Sequence, residues 1–171
     1  KDIQASSEIY LSLKKTLKSQ GQSTSLGDEG GFAPKLSSTK EALDIMKLSV
    51  KKAGYSTIDT GLALDAAANE FYDPESKTYS VDGSKYTQAG LTDFYSNLLD
   101  EYHLLSIEDG FSEDDVLGWE VVTEKLGSKV HLIGDDLFVT NPDRFSNLGL
   151  KYNIANGVLI KLNQIGSVFE T

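Results

Sequence analysis

Four apolar runs in the 171-residue chain end on a charged side chain: Leu62–Asp65 on Asp65, Leu104–Glu108 on Glu108, Val130–Asp135 on Asp135 and Val158–Lys161 on Lys161. Runs of this length read as buried strands, and in parallel βα folds the C-terminal strand ends converge where active sites form. Three carboxylates brought together there repel one another unless a cation sits among them. The chain has no cysteine, so the donors are oxygens, which favours a hard divalent ion, Mg²⁺ first among them. A lysine held beside such a metal and partly desolvated has its ammonium form disfavoured, which makes Lys161 a candidate general base. Glu29 lies in the loop Gly27-Asp28-Glu29-Gly30-Gly31 with Asp28 beside it. That neighbouring charge favours a protonated carboxyl and makes Glu29 a candidate acid.

Taken singly, each of these residues has a plainer role. A strand-end acid commonly caps the next helix, a lone lysine commonly sits on the surface, and a glycine-rich loop is commonly an ordinary turn. The argument for chemistry is the register: three acids and a lysine at equivalent positions. Asp114 and Asp115 read as helix-start charges, Asp109 and Asp136 as loop groups or supports behind the ligands, and His103 and His131 as packing or surface residues.

The elements that must position these groups follow from the spacing of apolar residues. Ile9, Leu13 and Leu17 predict a helix over 7–20 with Gly21 as its stop. Ser38-x-x-Glu41 is a capping box opening a second helix, which carries Leu43, Met46 and Val50 on one face and stops at Gly54. From there strand-like runs alternate with helical periods near 88–101, 113–126 and 142–149, the last opened by Asn141 as N-cap and Pro142 at N1. Strand, helix, strand, helix predicts βαβ units on a parallel sheet. Residues 70–86, with Asp73-Pro74 and Asp82-Gly83, read as a hairpin inserted after the first strand.

Composition narrows the class of partner. Sixteen Lys and Arg against 26 Asp and Glu leave a formal charge of −10, which repels nucleic-acid phosphates and anionic lipid. The absence of cysteine fits a reducing cytoplasm. No apolar run of about 18 residues and no charged-then-apolar leader occurs, so neither a spanning helix nor a signal peptide is expected. The chain opens on Lys1 rather than Met, as a processed, truncated or excerpted sequence would.

Five stretches, in order, resemble the enolase family: Gly27-Asp28-Glu29-Gly30-Gly31-Phe32-Ala33-Pro34; Leu64-Asp65 with Asn69-Glu70-Phe71-Tyr72; Ser106-Ile107-Glu108-Asp109; Gly134-Asp135-Asp136-Leu137 with Val139-Thr140-Asn141-Pro142; and Leu159-Ile160-Lys161-Leu162-Asn163-Gln164-Ile165-Gly166. The resemblance implies an α/β fold, a partial (β/α)8 barrel of the TIM type. Residues 1–171 would hold roughly its middle strands, without the N-terminal α+β domain or the last barrel strands. It implies Asp65, Glu108 and Asp135 as Mg²⁺ ligands, Lys161 as base and Glu29 as acid, with Glu29, Glu108, Asp135 and Lys161 also meeting substrate.

The implied reaction is the reversible dehydration of 2-phosphoglycerate to phosphoenolpyruvate by a magnesium-dependent carbon–oxygen lyase of glycolysis and gluconeogenesis. It would be cytoplasmic, with a secondary cell-surface location open, and a homo-oligomer, dimer or higher, at full length. Lysine-with-Mg²⁺ pairing is a known pattern of this superfamily. Its physical reason is that a proton next to a carboxylate is very weakly acidic unless the resulting charge is spread onto oxygen and neutralised. Gly110 stands where many relatives carry Pro, and only a local loop effect is expected from it. The chain by itself is expected to be inactive. Two alternatives stand beside the lyase: a racemase or cycloisomerase of the same barrel superfamily, and a non-catalytic acidic interaction fragment of the plasminogen-binding type.

Overall fold

A computed structural model describes residues 2–57 and 60–171. The chain divides into two compact units, Lys1–Leu62 and Ala63–Thr171.

The first unit is a helical pair. Helix α1 (Asp2–Ser19) starts several residues earlier than the apolar spacing predicts, because Asp2 at its first turn complements the helix dipole and no breaker precedes Ile9. It stops at Gly21, whose φ of 71° lets the Gln22 amide reach back to the Leu17 carbonyl at 2.9 Å. Helix α2 (Thr39–Lys52) packs against α1, burying Leu43, Ile45 and Val50, and Tyr55 beyond its end donates to Glu8 of α1 at 2.6 Å. Half of the expected capping box forms. Ser38 Oγ accepts the Glu41 amide at 3.2 Å, but the Glu41 carboxylate turns to the Ser37 amide and hydroxyl, at 2.7 and 2.6 Å, one residue before the box position. Those two bonds hold the Glu41 carboxyl below its ordinary value.

The second unit is built on a sheet of order β1-β5-β6-β7, formed by β1 (Leu62–Asp65), β5 (Leu104–Glu108), β6 (His131–Gly134) and β7 (Gly157–Val158). The β5–β6 and β6–β7 pairs are parallel, with Ile107 opposite Leu132 and Gly134 opposite Val158. Helices α3 (Gln88–Tyr102) and α4 (Val116–Leu126) make the crossovers. Their apolar stripes bury Leu91, Tyr95, Leu98, Trp119, Val122 and Leu126 with Ile107 and Leu132 of the central strands. Each such side chain contributes about 1.5–3 kcal/mol when removed from water. After β6 come the short α5 (Pro142–Arg144), capped by Asn141, and a π-helical turn (Phe145–Leu150); α6 (Leu162–Ile165) follows β7.

The insertion after β1 is a three-stranded antiparallel meander rather than a hairpin. Its strands are β2 (Tyr72–Asp73), β3 (Thr78–Val81) and β4 (Ser84–Tyr86), turning at Asp82-Gly83, where both residues have positive φ as a primed hairpin turn requires. It is anchored by Tyr79, fully buried, whose hydroxyl donates to Asp115 Oδ2 at 2.7 Å and accepts the Ser112 amide at 3.2 Å. Asp115, read from the sequence as a helix-start charge, is the N-cap of α4 and accepts the Gly118 amide. Phe111 packs edge-on to Tyr79 and Tyr95, and Tyr95 donates to the Gly110 carbonyl at 2.9 Å, so the loop that leaves β5 is braced from below by aromatic side chains.

Candidate metal centre

The C-terminal ends of β1, β5 and β6 lie side by side. The Ala66 amide donates to the Glu108 carbonyl at 2.9 Å and the Asp109 amide to the Ile133 carbonyl at 2.9 Å, so the ladders continue to the last residue of each strand. This register brings carboxylate oxygens of Glu108, Asp109 and Asp135 within 4.8 Å of one another. An all-oxygen, negatively charged set at that spacing suits a hard dication. Of the three ligands expected from the sequence, Glu108 and Asp135 fall in this cluster. Asp65 stands at the neighbouring strand end, exposed, its Oδ1 accepting the Ala67 amide at 3.2 Å. It is near enough to act on Glu108. Burial pushes the Glu108 carboxyl up to about 6, with the charges of Asp65, Asp135 and Asp109 adding to the shift and Lys161 opposing it.

Asp135 is buried and doubly held. Lys161 Nζ lies 2.5 Å from Oδ2, and Gln164 Nε2 donates to Oδ1 at 2.6 Å. The β-ladder does not carry Lys161 there, because β7 ends at Val158, three residues before the run suggests. Instead the Lys161 amide donates to Thr140 Oγ1 at 2.9 Å, and that hydroxyl donates to Gln164 Oε1 at 2.6 Å. One turn of helix, α6, then sets Lys161 and Gln164 on the same carboxylate. Thr140 itself has φ of 54°, a conformation costly for a β-branched residue and held here by these bonds.

Asp109 is more than a loop group. It is buried with φ of 42°, and its carboxylate accepts the amides of Asp135 at 3.0 Å and Asp136 at 2.8 Å. Burial pushes its carboxyl up from the ordinary value, and the amides of Asp136 and Asp135 offset part of that. Asp136 accepts from Asn69 Nδ2 at 3.3 Å, and Asn69 Oδ1 accepts the Glu113 amide at 3.0 Å, so the loops after β1, β5 and β6 are cross-linked behind the cluster. Sequence reasoning did not single out Thr140 and Gln164. The available signal was the three-residue spacing of Lys161 and Gln164, one helical turn apart.

The remaining candidates lie elsewhere. His103 is the exposed, left-handed C-cap of α3, and His131 is exposed at the start of β6, at the opposite end of that strand from Asp135. Glu29 belongs to the first unit. It is exposed in the turn closed by Gly27 N to Gly31 O at 2.9 Å and Gly30 N to Gly27 O at 3.0 Å, and Tyr10 of α1 clamps this turn by donating to the Gly30 carbonyl at 3.0 Å and stacking on Phe32.

Parallel strands joined by helices, with acids at the C-terminal strand ends and a lysine against one of them, are the arrangement of part of a βα barrel. The family model of the enolase C-terminal TIM barrel domain matches residues 1–171, and the chain belongs to that family. Among the described residues no helix is long and apolar enough to cross a membrane.

Proposed function

We propose that this chain carries the metal- and base-bearing strands of an enolase, a magnesium-dependent lyase that interconverts 2-phosphoglycerate and phosphoenolpyruvate. The observation that carries the reading is the contact of Lys161 Nζ with Asp135 Oδ2 at 2.5 Å, in a cluster with Glu108 at the strand ends. It puts an amine beside the only strand-end acids that the fold gathers among the described residues. Asp65, Glu108 and Asp135 would hold Mg²⁺, whose chemistry when bound is to set fixed positive charge against the substrate carboxylate. Lys161, acting as base in its deprotonated form, takes the proton from C2. The electron pair left behind forms the C2–C3 double bond, and the 3-hydroxyl leaves as water with a proton from Glu29. Gln164 and Thr140 keep the Lys161–Asp135 geometry, which an amine on a flexible four-carbon stem would not keep by itself.

The complete enzyme would add the N-terminal α+β domain and the last barrel strands, and would act as a cytoplasmic homo-oligomer. Exposed apolar side chains around the last strand, Val158, Ile160, Leu162 and Phe169, support a continuation of the barrel there. The test is Lys161→Ala in the full-length protein, with dehydration of 2-phosphoglycerate followed by the ultraviolet absorbance of phosphoenolpyruvate. Loss of a general base lowers kcat by about 10²–10⁴. Activity within tenfold of the parent refutes the assignment. A parent protein inert towards 2-phosphoglycerate but active on another carboxylate with an acidic α-proton points to the racemase or cycloisomerase class.

A further inference from the structure

Resting on the reading just given, we propose that Asp109 is the positioning residue of the metal centre, a buried brace that sets the three strand ends at one spacing rather than a ligand of the ion. Its backbone and side chain reach all three strands. The carbonyl accepts the Ala68 amide beyond β1 at 3.0 Å, the amide donates to Ile133 of β6 at 2.9 Å, and the two carboxylate oxygens take the amides of Asp135 and Asp136 at 3.0 and 2.8 Å. Asp109 itself continues β5 directly from Glu108. Each oxygen is thus engaged by an N–H of the loop that carries Asp135. Turning either oxygen to a cation would take it from a backbone amide that has no freedom to rotate elsewhere, whereas the donors on Asp135, Lys161 Nζ and Gln164 Nε2, are side chains that can swing aside.

The left-handed backbone at Asp109 serves the same end. With φ of 42° the chain leaves the extended strand conformation immediately after Glu108, and the Asp109 carboxylate meets the amides of residues 135 and 136. Supports of this kind orient metal-binding side chains, and their loss typically costs about 10–100-fold in metal affinity.

The experiment uses the full-length protein and Mg²⁺ as the probe, with dissociation constants from isothermal titration calorimetry. Asp109→Asn keeps shape and tolerance of positive φ but sets an amide N–H against a backbone N–H. Asp109→Gly frees the backbone and deletes the brace. Weakening of Mg²⁺ binding by about 10–100-fold, larger for Gly than for Asn, is expected. Asp115→Asn, which disturbs a buried carboxylate on the meander side of the same unit, should lower stability and leave Mg²⁺ affinity within twofold.

The unmodified protein supplies a second measurement. The amides of Asp135 and Asp136 should remain protected from hydrogen exchange when Mg²⁺ saturates the site. Loss of that protection on metal binding shows Asp109 turning to the ion and overturns the proposal, as does Asp109→Asn binding Mg²⁺ within twofold of the parent. A parent that binds no Mg²⁺ overturns the metal reading itself, and the inference with it.

Discussion

The raised carboxyl of Glu108 gives the metal reading a quantitative consequence. An ordinary glutamate ionises near 4.3–4.5, so between pH 7 and pH 5 it stays mostly charged, and a cation relying on it would lose only about 1.3-fold in apparent affinity. With ionisation pushed up to about 6, the charged fraction falls from roughly nine-tenths at pH 7 to roughly one-tenth at pH 5, and apparent Mg²⁺ affinity falls about tenfold. Calorimetric titrations at the two pH values, each in buffers of different ionisation enthalpy, read both quantities: the affinity drop, and the release of close to one proton per Mg²⁺ bound at pH 5. Glu108→Gln should bind weakly at both pH values and release no such proton. The metal-free protein should show the opposite trend. A carboxyl whose folded value lies above its unfolded one contributes stability below about pH 4.5 that is lost as pH rises through about 6. Mg²⁺ should therefore protect most on the alkaline side of that window. An affinity that changes less than twofold between pH 7 and pH 5 refutes the placement of Glu108 among its acidic neighbours as the cause.

Two stability predictions test the scaffold behind the site by denaturant unfolding. Tyr79→Phe removes a buried donor from Asp115 and leaves the Ser112 amide without its acceptor, for a loss of about 3 kcal/mol; a loss under 1 kcal/mol would show that the meander is not anchored there. Gly118→Ala sets a Cβ 2.3 Å from Phe111 Cδ1 and 2.7 Å from Asp115 Oδ2, both in buried groups, and should destabilise by about 1–3 kcal/mol, whereas a neutral result would mean that the α4 start can shift freely.

Strand ends were readable because local chemistry decides them. Leu62–Asp65 and Leu104–Glu108 are strands over the same residues that their apolar runs mark, each stopping at the first charge. Gly21 and Gly54 stop their helices for the reason that makes glycine recognisable, a positive φ without a Cβ. What was not readable depends on residues far apart in the chain. Lys161 reads as a strand terminus, but the ladder has ended by then, and a hydroxyl 21 residues earlier places it. Asp109 reads as either a loop group or a support behind the ligands, because what decides between them is a pair of amides that come near it only after β6 has paired with β5. The capping box at Ser38 shows a milder form of the same limit. The pattern located the helix start correctly, while the glutamate, offered two serines in succession, chose the one that supplied both a hydroxyl and an amide.

The Tyr79–Asp115 anchor also governs how the molecule breathes. Peeling the meander away would take the Tyr79 hydroxyl from the buried carboxylate that caps α4, which couples the opening of residues 72–86 to that of the first turn of the helix. An appendage that looks dispensable on the outline of the fold is thus a cooperative partner of the helix beneath it, and trimming it would destabilise the start of that helix rather than merely shorten a loop.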